Sequence, residues 1–131
     1  MSHVLLIVDT PQTEPIAAAA LAELHIAPVR LSLEDFDPDF LLAEMFALIV
    51  IELFGENRSC IAILQRLESM AQTSGIDHPP IIVVTSTESN TIEQALRTAK
   101  VSFLLLRPLQ KEELISAIRQ ALRSAPRQEP L

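Results

Sequence analysis

The chain has 131 residues, 49% of them hydrophobic and 21% charged, as in one ordinary globular domain long enough to bury a single core. A net charge of −7 repels a phosphate backbone, and five Phe with no Trp or Tyr supply no platform for stacking bases, so direct nucleic-acid binding is not expected. The single cysteine, Cys60, excludes an internal disulfide framework and suits a reducing compartment.

The N-terminal "MSHVLLIVDT" holds an apolar run of five residues and no basic leader, so it reads as neither a signal peptide nor a membrane span. A soluble cytoplasmic protein is the expectation, and Asn57-Arg58-Ser59 is then an empty glycosylation match. Residues 4–8 form the first predicted strand, and residues 14–24, "EPIAAAALAEL", a helix with Pro15 in its first turn. Residues 28–33 alternate Val29, Leu31 and Leu33 with Arg30 and Ser32, which suits an edge strand with one face in water. A short helix is predicted over 38–45, and the aliphatic run 48–51 is a strand buried on both faces.

Apolar residues at 61, 63, 64, 67 and 70 give a helix over 61–70, with Ser59 as N-cap and Gly75 as stop. Residues 81–84 form the next strand, and Asn90-Thr91-Ile92-Glu93 resembles a capping box opening a helix over 91–98. Strand 103–106 follows, and a helix over 111–122 places Leu114, Ile115, Ile118, Ala121 and Leu122 on one face. The order is β-α five times, which implies parallel strands with helices on both faces of one sheet. "SAPRQEPL" has two prolines and no periodicity, so residues 1–124 are read as the domain and 125–131 as a tail.

Open sheets of this type keep ligands and chemistry at the carboxyl ends of their strands. There stand Asp9 and Thr10 after the first strand, Glu52 after the third, Thr85 and Ser86 after the fourth, and Arg107-Pro108 after the fifth. That series, read as "LLIVDT", "LIVIEL", "IIVVTS" and "LLLRPL" followed by "QKEELISAIRQAL", resembles the receiver domains of bacterial two-component response regulators over about residues 3–124. Each motif alone is weak; their common order makes the resemblance specific. It implies an α/β, flavodoxin-like (βα)5 fold, a doubly wound parallel sheet in the order 2-1-3-4-5.

The departures from the family's pattern bear on function. A working receiver holds magnesium with carboxylates while an Asp attacks phosphorus from a donor. Here Thr10 stands for the second acid of the pair, and a hydroxyl is a poor ligand for a hard dication. Glu52 stands for the acceptor Asp, and its extra methylene spoils in-line geometry. Arg107 stands for the lysine and is not interchangeable with it. Only Asp9 and Thr85 match directly, while Pro108 allows a cis bond. The loop "LFGENRS" lacks the usual proline, and Leu104 stands where the family has an aromatic switch residue.

The expectation is a pseudo-receiver without catalytic activity, cofactor or metal, with Mg2+ binding doubtful, acting by phosphorylation-independent contact with signalling proteins. The alternative is a divergent receiver that is phosphorylated in a metal-dependent way. Glu52 is read either as a built-in mimic of phospho-aspartate clamped by Arg107 or as a neutralising partner of Arg107. Thr85 is read either as a phosphoryl ligand coupled to the fifth strand or as a hydroxyl satisfying nearby backbone. The family's partner face, built from the fourth helix, fifth strand and fifth helix, would present Ile92, Leu96, Lys100, Leu105, Glu113 and Arg119, and a homodimer could form there.

Three further patterns yield no site. Cys60 and Arg66 have the C-x5-R spacing of cysteine phosphatases, but the intervening "IAILQ" has no Gly and reads as helix, so that activity is remote. His3, His25 and His78 lack ligand spacing, and Glu34, Asp35, Asp37 and Asp39 read as a solvated loop. With only Gly55 and Gly75 in the chain, no phosphate-cradling glycine loop exists.

Overall fold

A computed structural model describes residues 4–8, 16–32, 35, 46–53, 62, 64–66, 69, 79–85, 103–106 and 110–124. Five strands form one sheet: β1 (Val4–Val8), β2 (Val29–Ser32), β3 (Leu48–Glu52), β4 (Ile81–Thr85) and β5 (Phe103–Leu106). Their order is β2-β1-β3-β4-β5 and every pairing is parallel, as expected. β1, β3 and β4 lie inside the sheet and are buried along their whole length, which is why they read as unbroken aliphatic runs. β2 is an edge, with Arg30 exposed and Val29 and Leu31 partly buried. The expected strands 48–51 and 81–84 each extend by one residue, to Glu52 and Thr85.

Side chains alternate across the sheet, so each strand feeds two cores. One face gathers Val4, Leu6, Val8, Leu48, Val50, Ile82 and Val84 under two helices, α1 (Ile16–Glu23) and α2 (Lys111–Ser124). The other gathers Leu5, Ile7, Ile49, Ile51, Ile81 and Val83 with Phe46 and with Leu64, which lies among helical residues between 62 and 69. Helices therefore cover both faces. The helices expected over 38–45 and 91–98, and the tail 125–131, lie outside the described residues.

α2 is amphipathic: Leu114, Ala117, Ile118 and Ala121 are buried, while Glu112, Glu113, Arg119 and Gln120 face outward. Glu112 and Glu113 in its first turn and Arg123 in its last both complement the helix dipole. α1 is different. It is almost all alanine, and Ala17, Ala20 and Leu21 are buried against the sheet.

α1 ends in a tight reversal. The Ile26 N–H donates to the Leu21 carbonyl (2.9 Å) and the His25 N–H to the Ala22 carbonyl (3.0 Å), the two bonds of a Schellman cap. The cap needs a left-handed residue, and His25 supplies it at φ 59° in place of the usual glycine. Beside it, Lys111 Nζ of α2 lies 3.1 Å from Glu23 Oε1 of α1.

Candidate functional site at the carboxyl end of β3

The carboxyl ends of β1, β3 and β4 converge in register, with Val8 opposite Glu52 and Glu52 opposite Val84. Glu52 and Thr85 are the buried polar residues among those described, each 1% exposed. Burial of a carboxylate is costly unless its oxygens are hydrogen-bonded. Alternation dictates where Glu52 can look for partners. It shares the parity of Leu48 and Val50, whose side chains lie on the α1 and α2 face.

α1 begins just there. β1 and β2 are parallel, so the helix joining them must start at the carboxyl edge and run back toward the amino edge. Its first-turn amides therefore point at the strand ends. Glu52 Oε2 accepts from the Ile16 N–H at 3.1 Å, and Oε1 accepts from the Ala17 N–H at 2.9 Å. Both carboxylate oxygens are thus turned onto amides that have no partner within the helix. The negative charge sits at the positive end of the α1 dipole, and both bonds are charge-assisted.

The acceptor for these amides comes from another strand, not from the first turn of α1. The residue before Ile16 is Pro15, which has no side-chain oxygen, and α1 has no acid in its first turn. Sequence reasoning missed this partner. The parity of residue 52, which turns its side chain to the α1 face, was the signal for it.

The other expected site residues divide as follows. Thr85 ends β4 beside Leu106 of β5. Asp9, Thr10, Ser86, Arg107 and Pro108 lie outside the described residues, and so does the expected Glu52–Arg107 pair; Glu52 and Thr85 each have further interactions of their own. Leu104 is half-buried and packs on the face away from α1, while Leu105 packs on the α1 and α2 side. Glu113 and Arg119 are exposed on α2. Ile92, Leu96 and Lys100 are not described, nor is Cys60; Arg66 is helical and exposed. No group of three or more His, Cys, Asp or Glu is placed to hold a metal among the described residues.

With the site in view, comparison with known proteins gives a consistent answer at the level of structure. The signal receiver domain of a histidine kinase from Syntrophus aciditrophicus superposes with a TM-score of 0.78 at 16% identity, covering 100% of this chain and 97% of its own. The fold is that of a receiver domain. FixJ-N matches with a TM-score of 0.73 at 19% identity, covering 97% and 98% of the two chains. The chemotaxis protein CheY4 of Vibrio cholerae matches at 0.69 and 14% identity, covering 92% and 98%. No protein-family model matches the sequence, and no curated protein does. At these identities the likeness is one of fold, and site residues do not carry over with it.

Proposed function

We propose that this receiver-fold domain is a pseudo-receiver of bacterial two-component signalling that works in the cytoplasm by contact with protein partners, without phosphorylation, cofactor or catalysis of its own. The observation that supports this reading is the engagement of Glu52. The side chain at the family's acceptor position is buried, and both its oxygens accept from α1 amides. An acyl phosphate forms only when a free carboxylate oxygen meets phosphorus in line, with a metal neutralising the charge. Thr10 in place of the second acid further weakens any magnesium site.

Partner contact belongs to the outer face of α2 and the neighbouring β5. An open groove of about 340 Å³ runs along α2, lined by Glu112, Ile115, Arg119 and Arg123 among others. Mixed apolar and charged lining suits a weak, reversible protein interface, and a homodimer could use the same face. No helix among the described residues is long and apolar enough to cross a membrane.

The test is direct. The protein is incubated with acetyl phosphate or beryllofluoride plus magnesium and followed by intact mass and amide NMR. Unchanged mass and unshifted strand-end amides are expected. A stoichiometric phospho-adduct would overturn the reading and favour a divergent, metal-dependent receiver.

A further inference from the structure

Helix amides at an N-terminus form a ready anion site, and α1 presents two of them at the buried end of β3. Pro15 has no acceptor side chain and the first turn has no acid, yet the carboxylate of Glu52, 36 residues from Ile16 along the chain, fills the site with one oxygen on each amide. The side chain is 1% exposed, the bond to Ala17 is buried and that to Ile16 is part-buried.

We propose that the α1 N-terminus is an anion site which the chain occupies with its own tethered carboxylate, locking α1 to β3 and excluding external carboxylates and phosphoryl groups from the strand ends. This is an autoinhibitory contact at the level of ligand binding. It does not rest on the signalling reading, because it concerns which anion sits on two named amides. It also accounts for glutamate rather than aspartate at position 52. The backbone of β3 is held by its ladders to β1 and β4, so an acid shorter by one methylene cannot bring both oxygens onto Ile16 and Ala17.

Hydrogen exchange on the wild-type protein tests the contact without perturbing the fold. First-turn amides have no partner within their own helix, so slow exchange at Ile16 and Ala17 is expected only if Glu52 holds them. Fast exchange at both overturns the proposal. In Glu52→Gln one acceptor oxygen remains, and one of the two amides is expected to lose protection; retention of both counts against it.

Glu52→Ala should lower Tm by roughly 5–10 °C through two buried amides left unpaired. Sodium formate or acetate should then raise the Tm of Glu52→Ala more than sodium chloride of equal ionic strength does, and leave the wild type unmoved. Equal shifts in variant and wild type would sink the idea. If Glu52→Ala does not fold, the exchange pattern of the wild type and of Glu52→Gln decides.

Discussion

His25 pays for a reversal that glycine would make freely. A non-glycine residue in the left-handed region carries a steric penalty of about 1–2 kcal/mol, partly offset because glycine loses more entropy on folding. His25→Gly is therefore expected to stabilise the domain by about 0.5–1 kcal/mol, read as a higher midpoint in urea at unchanged slope. At the other end of α1, Glu52→Asp restores the family's acceptor type but leaves Thr10 and Arg107 in place. With no second acid for the metal, intact mass after acetyl phosphate and magnesium should show no adduct for Glu52→Asp. Adduct formation is expected to require an added Thr10→Asp.

The helices differ in how their stability is built. α2 has a one-sided apolar stripe whose central member, Ile118, is fully buried in the same core as Val84 and Leu114. Ile118→Ala should cost about 2–4 kcal/mol in chemical unfolding, as a buried large-to-small change does. α1 relies instead on its ends, the Glu52 contact at the start and the Schellman cap at the finish. The Lys111–Glu23 bridge between the helices is a lesser device. Its side chains are 38% and 53% exposed, and a double-mutant cycle should give a coupling under about 1 kcal/mol. The coupling should shrink further in high salt.

At the scale of the molecule the sheet separates two cores that share strands but not side chains. Substitutions in different cores should be nearly independent. Ile7→Val with Ile118→Val should add to within about 0.5 kcal/mol, whereas Ile118→Ala with Val84→Ala, packed in one core, should depart from additivity by more. The fold was legible because aliphatic runs mark the inner strands, Arg30 marks an edge, and the alternation of runs with helical periods demands parallel pairing. Strand ends were less legible: Glu52 and Thr85 continue their ladders, although a polar residue reads as a stop. Of the expected site positions, Glu52 and Thr85 stand at described strand ends, and Asp9, Thr10, Ser86, Arg107 and Pro108 lie outside the described residues. The partner of Glu52 was not legible, since a contact between residues 36 apart depends on where the start of α1 lies relative to the end of β3, which no local pattern records.

β3 also poses a problem of identity. Its residues Leu48 to Ile51 are equally apolar on both faces, so greasiness alone cannot say which of them should look toward α1. A slip of one residue would swap the two faces at little hydrophobic cost. Glu52 removes that ambiguity. On the α1 side its charge meets two amides; turned to the other side it would leave them, and they would stay empty. The acid at the end of this strand is thus a keyed tooth, admitting one alignment of the sheet and rejecting its neighbour.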